Sequence, residues 1–219
     1  MKKKSMFFIT MIIGIIGLFL YLYRNDLSLF MSEDIILEPM EMSEREEGIV
    51  DALKGNYTLA YDISSRKLDR YTVELWIERY LDGEKLEEFL HKSSFKPESS
   101  VVSILFDELT IDQNEEQQSD TILKASFIDN EQHDHTQYVY HENDQSIFAT
   151  IFSMLEEETE IELNKENVIA LKKLTSSEKP IGSITIEGLT EKDLENIVRT
   201  SEWLYIYKIK VVDGKVGSE

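Results

Sequence analysis

Three of the four histidines fall close together: His133, His135 and His141. Asp129, Glu131, Asp134, Glu142 and Asp144 lie among and beside them. Imidazole nitrogens with carboxylate oxygens are the donor set of zinc and related transition metals. On an extended chain His133 and His135 share a face. His141 lies six residues beyond His135, about 20 Å at strand rise, and joins them only where the chain folds back between them. These three are the metal-ligand candidates. The same stretch also reads as a solvated polar loop, the more economical account of its composition.

Other chemistry is thinner. Asp112, Asn114 and Glu116 imitate the first ligands of a calcium loop, but Gln117 stands where glycine is required and Leu123 where a bidentate acid is required. Weak calcium association with the acidic loops remains open. Ser-x-x-Lys occurs at Ser64/Lys67, Ser93/Lys96 and Ser176/Lys179, without the companion motifs of penicillin-recognising enzymes. There is no G-x-S-x-G elbow, and the chain has no cysteine, hence no thiol chemistry and no disulfide. With 43 acidic residues, adjacent carboxylates carry no information about acid–base catalysis. Trp76, Tyr80, Trp203, Tyr205 and Tyr207 could line a glycan platform, although aromatic residues on strands more often pack as core or cross-strand pairs. No catalytic residue and no cofactor is assigned.

What positions these residues begins with an uncharged run, Met6 to Tyr23, behind Lys2, Lys3 and Lys4. It has the length and polarity of a single membrane-spanning helix, with Tyr21 and Tyr23 at the interface. No A-x-A-like site follows it, which weighs against the competing reading of a cleaved signal. Three lysines before the span and Arg24 alone just after it place the N-terminus in the cytoplasm and the rest outside. The predicted organisation is a basic leader over 1–5, a signal anchor over 6–23, a juxtamembrane tether over 24–54, a body over 55–212 and a tail over 213–219. Within the tether, Ser43 and Glu46 make a capping box for a short helix ending near Gly55.

Beyond the span the chain carries 20 basic against 43 acidic residues, a balance of −23. That excludes nucleic acid as a partner and disfavours lying on an anionic bilayer. Cysteine-free, the body must be held by its core, and its length suffices for one.

The body alternates with a period of two. Tyr57, Leu59, Tyr61 and Ile63 share one face; so do Tyr71, Val73, Leu75 and Ile77. Asp82-Gly83 predicts a hairpin into a strand from Glu84. Further strands are predicted near 102–111, 121–127, 137–142, 147–155, 161–163, 168–171, 183–187 and 203–212, with polar loops over 112–120 and 129–135. Thr190 and Asp193 cap a short helix whose buried face is Leu194, Ile197 and Val198. About nine short strands with polar turns predict a mainly β body, an immunoglobulin-like β-sandwich with one or two short helices. An open barrel is the alternative.

The lysine-led anchor, the acidic cysteine-free body and the strings Tyr80-Leu-Asp-Gly-Glu-Lys-Leu-Glu87 and Thr159-Glu-Ile-Glu-Leu-Asn-Lys-Glu166 resemble extracytoplasmic proteins of Gram-positive bacteria. The resemblance implies a place at the cell membrane and no particular activity. The expected function is a non-catalytic binding or assembly module, meeting the bilayer through residues 6–23 and another envelope protein or a glycan through its surface. The alternative is a metal-dependent or glycan-directed enzyme built on the histidine-rich loop.

Overall fold

A computed structural model of the chain describes residues 34–41, 43, 57–86, 92–113, 118–130, 132–142, 149–176 and 183–213. The expected span over 6–23, the helix after Ser43 and the tail after 213 lie outside the described residues. Among the described residues no helix is long and apolar enough to cross a membrane.

Among the described residues the chain is mainly β, with two six-stranded sheets and one α-helix. In chain order the strands are β1 (Ile35–Pro39), β2 (Tyr57–Ser64), β3 (Tyr71–Leu81), β4 (Glu84–Leu86), β5 (Ser93–Phe95), β6 (Val101–Gln113), β7 (Gln118–Asp129), β8 (Gln132–Glu142), β9 (Ala149–Met154), β10 (Thr159–Ile161), β11 (Asn167–Thr175) and β12 (Trp203–Asp213). The helix, α1, is Glu191–Thr200. The first sheet runs β10-β1-β2-β6-β7-β8; the second runs β4-β3-β12-β11-β9, with β5 also beside β3. Every pairing is antiparallel.

Period-two alternation builds the core. Leu59, Tyr61 and Ile63 of β2, Ile104 and Phe106 of β6, and Ala125 and Phe127 of β7 are buried on one side. Val73, Leu75 and Ile77 of β3 face them from the second sheet, with Tyr207 and Ile209 of β12. Aromatic contacts join the sheets. Phe106 meets Tyr207 edge-on at 5.6 Å, and Phe95 stacks on Phe127 at 5.0 Å. On the other face of β12, Leu204 and Ile206 are just as buried, as its doubly apolar sequence predicts. Leu194, Ile197 and Val198 of α1 pack against the same core.

Two local predictions correspond to specific backbone geometry. Asp82 (φ 49°) and Gly83 (φ 85°) both adopt positive φ, as a two-residue hairpin turn requires, and β4 leaves it as a strand. Thr190 and Asp193 form a reciprocal capping box at the start of α1.

Other expectations are corrected. Ile35–Pro39, placed in the tether, is a strand inside the first sheet, with Ile35 and Leu37 buried between β10 and β2. Its few apolar residues gain a partner on each side that no local pattern reveals. The polar loop over 112–120 shrinks, because β6 and β7 keep pairing out to Gln113 and Gln118. Residues 183–186 form no strand, though Ile186 is buried. The polar turn after Ile161 is a corner between sheets, from β10 to β11. It carries Asn164 at φ 63°, whose N–H donates to the Val211 carbonyl at 2.7 Å.

One ion pair crosses the interior. Lys172 of β11 donates to Glu108 of β6, and both side chains are about 5% exposed. The Lys172 ammonium also lies 5.4 Å from the Tyr205 ring. A buried pair gains little over apolar groups of the same volume, yet losing one partner strands a charge. Lys172→Ala is therefore expected to lower unfolding stability of the full chain by about 3–5 kcal/mol, read by urea denaturation. The double variant Lys172→Met/Glu108→Leu is expected to recover most of that loss.

Candidate functional site

The histidines do not sit on a loop. The hairpin after Asp129 turns at Asn130 (φ 51°), and β8 starts at once at Gln132. His133 pairs across to Ile128, His135 to Ser126 and His141 to Asp120, in one unbroken register. The register places His133 and His135 on the face opposite to that of buried Phe127 and Ala125. His133 and His135 are exposed neighbours on that face. The strand does not fold back, so His141 stays about 20 Å along it from His135. Among the described residues no three metal-ligating side chains come together. The sequence suggested a loop because an outward edge strand shows no apolar alternation on its solvent side.

Asp129, grouped with the histidines in sequence, has a structural role. It is 1% exposed, and its carboxylate accepts from the backbone N–H groups of Glu98 (2.6 Å) and Ser99 (3.2 Å). The five aromatic residues do not make a platform. Tyr205 and Tyr207 are buried in the inner layer; Trp76 and Tyr80 lie on the other face of the second sheet. Arg79 stacks over Trp203 at 4.5 Å.

A concave feature among the described residues lies elsewhere. A cleft of about 550 Å³ opens between the end of β9, the β10–β11 corner and the segment leading into α1. Its apolar floor is Leu155, Ile161, Val168, Ile186, Leu189 and Leu194. Leu155, Ile161 and Ile186 are buried, whereas Val168, Leu189 and Leu194 are half-buried. The rim carries Glu157, Glu158, Glu166, Glu187 and Glu191 against one cation, Lys165. That size lies within the range of ligand sites, which pair apolar walls with a few polar groups.

The floor is fixed from below and behind. The Tyr61 hydroxyl donates to the carbonyls of Leu155 (3.0 Å) and Ile169 (3.3 Å), anchoring the end of β9 to both sheets. Burial raises the Tyr61 phenol well above its usual value, so it stays a donor. A register shift between Val168 and Ala170 bends β11 at the cleft wall. The Glu156 N–H reaches the Glu187 carboxylate at 3.4 Å, linking the two lips. Lys165, on the rim, is held in its charged form by a hydrogen bond to Glu162, which disfavours a role as base.

The cleft wall continues into a charged network. Lys208 of β12 lies 3.0 Å from both Glu166 and Glu78. Glu78 is buried and also receives Lys85 and the Tyr80 hydroxyl. Burial alone opposes ionisation of Glu78. The hydrogen bonds from Lys85, Lys208 and Tyr80 together outweigh it and lower its pKa to about 2.

Sequence reasoning missed this cleft. Thr190 was legible only as a helix cap.

A depressed carboxylate pKa contributes stability above its ordinary value, and that contribution is lost as pH falls through the folded value. Glu78→Gln is expected to be less stable than the parent at neutral pH. The difference should shrink between about 4.5 and about 2, because only the parent loses the charge there. Chemical denaturation across that pH window reads it.

The model of the YgaN domain family matches residues 36–211, from the second residue of β1 to near the end of β12. No curated protein and no solved structure matches the chain.

Proposed function

We propose that the chain, which belongs to the YgaN domain family, is a non-catalytic binding or assembly module of the cell envelope. In this reading residues 6–23 anchor it in the membrane, with the N-terminus in the cytoplasm and an immunoglobulin-like sandwich outside. Immunoglobulin-like here means architecture, two antiparallel sheets closed over one core without the Cys…Trp…Cys signature. The observation that carries the binding role is the cleft, whose apolar floor of Leu155, Ile161, Val168, Ile186, Leu189 and Leu194 gathers in one concavity under an acidic rim. Support for the anchor comes from the uncharged run and its lysine leader.

The alternative, metal-dependent chemistry at His133, His135 and His141, asks for three imidazoles spread over about 27 Å of continuous strand to meet at one ion. The cleft needs no rearrangement of the fold to receive a partner.

Two measurements test the proposal. A photoreactive amino acid in place of Leu189 is expected to give a discrete covalent adduct in intact cells, absent when the same group replaces exposed Arg66. Equal labelling at both positions would remove the cleft as the binding site. The full chain is expected to pellet with membranes and resist alkaline extraction, and deletion of residues 1–24 to release it. Recovery of the intact chain in the soluble cytosol overturns the localisation.

A further inference from the structure

We infer that the cleft holds an extended segment of a partner polypeptide, its apolar side chain on the floor, flanked by lysine or arginine, laid along the open edge of β10. This rests on the reading of the cleft as the binding site and adds the chemistry of what it binds.

Three observations converge on that occupant. The floor is graded, with buried Leu155, Ile161 and Ile186 beneath half-buried Leu189 and Leu194. An apolar side chain resting there removes further apolar surface from water, worth about 25 cal/mol per Å². The rim is acidic in balance, five glutamates against Lys165. Glu157, Glu158, Glu187 and Glu191 are exposed, and among the described residues none forms an ion pair. The rim charges that do pair are Glu166, to Lys208, and Lys165, to Glu162. An excess of carboxylates around an apolar floor is complementary to cations beside an apolar side chain.

The third observation is the sheet edge. Thr159–Ile161 pairs with β1 on one side, and among the described residues no strand lies on the other. Thr159 and Ile161 themselves line the cleft. An extended peptide adds to such an edge through its main chain, while alternate side chains enter the adjoining pocket. The period-two geometry of a strand then places one side chain toward the floor and its neighbours toward the rim. A nucleic acid or an anionic lipid surface meets the same rim as repulsion.

The test uses the full chain in lipid nanodiscs and fluorescein-labelled Lys-Val-Lys-Val-Lys, read by fluorescence anisotropy. Saturable binding is expected, about tenfold weaker for Lys-Ser-Lys-Ser-Lys and lost for Glu-Val-Glu-Val-Glu. The triple variant Glu157→Gln/Glu158→Gln/Glu191→Gln is expected to bind about tenfold more weakly. Asp69→Asn/Glu84→Gln/Glu98→Gln, which leaves the cleft untouched, is expected to bind as the parent does. Equal weakening in both triple variants would mean diffuse attraction to an acidic surface and overturns the inference. Absence of saturable binding, with the adduct at position 189 still forming, overturns it too and leaves the binding reading standing. Loss of both removes the two together.

Discussion

One phenol governs how the two halves of this body meet. Tyr61 stands in the middle of β2, in the first sheet, and its hydroxyl reaches two carbonyls of the second, those of Leu155 and Ile169. The chain has no cysteine, so no covalent link holds the sheets in register. Apolar burial is non-directional and tolerates sliding. A buried hydroxyl is not so tolerant: moved by an ångström or two, it is itself left without an acceptor, at a cost of about 1–3 kcal/mol. Tyr61 at one level of the sandwich and the Lys172–Glu108 pair at another therefore supply the register that disulfides supply in many small secreted domains.

The same tie shapes the cleft. Leu155 is held through its carbonyl by Tyr61 and through its N–H by the Ile169 carbonyl. Its side chain is then committed to the floor, and the chain must leave β9 toward the corner at β10. The acidic run Glu156-Glu157-Glu158 follows immediately, which puts carboxylates on the rim directly beside a fixed apolar base. Lys208 ties Glu166 back to the buried Glu78, so the opposite wall is braced by charge. Apolar support below and ionic support behind make this a preformed concavity, the kind of site that binds without first ordering itself.

Much of the fold was legible because local rules and tertiary demands agreed. The alternation of β2 and β3, the Asp82-Gly83 turn, the Thr190/Asp193 box and the doubly apolar β12 each read correctly from a few adjacent residues. The failures share a cause. Ile35–Pro39 has too few residues to declare a period, and its burial comes from Ile161 and Ile63 far along the chain. The β8 strand was read as a loop over His133–His135 because an edge strand with a wet outer face needs no apolar alternation there. Ile184 and Ile186 alternate like a strand, yet no neighbouring chain completes a ladder. The cleft was illegible for the strongest form of this reason. Its floor gathers Leu155, Ile161, Val168, Ile186, Leu189 and Leu194 from a strand end, a corner and a helix start, and no spacing rule connects them.

The edges of the two sheets differ in how they are protected against pairing. An unpaired edge is an aggregation template unless it is short, charged or covered. The outer edge of the first sheet, β8, carries His133, Asp134 and His135 exposed along its start. On the second sheet β4 is three residues long and bears Glu84 and Lys85. The β10 edge is also three residues long, too short to template an extended ladder with another copy. Backbone pairing along three residues contributes little specificity by itself. Discrimination then falls to the side chains around it, the apolar floor on one side and the carboxylates on the other. A short edge beside this cleft is thus protected against indiscriminate pairing, and in the proposed reading it accepts one chosen strand. The long, uncharged edge β9 (Ala-Thr-Ile-Phe-Ser-Met) has no such protection in its own sequence, and its last residue, Met154, is 41% exposed. The acidity of the molecule as a whole answers that liability, because two bodies each carrying a large negative charge repel before their edges can meet.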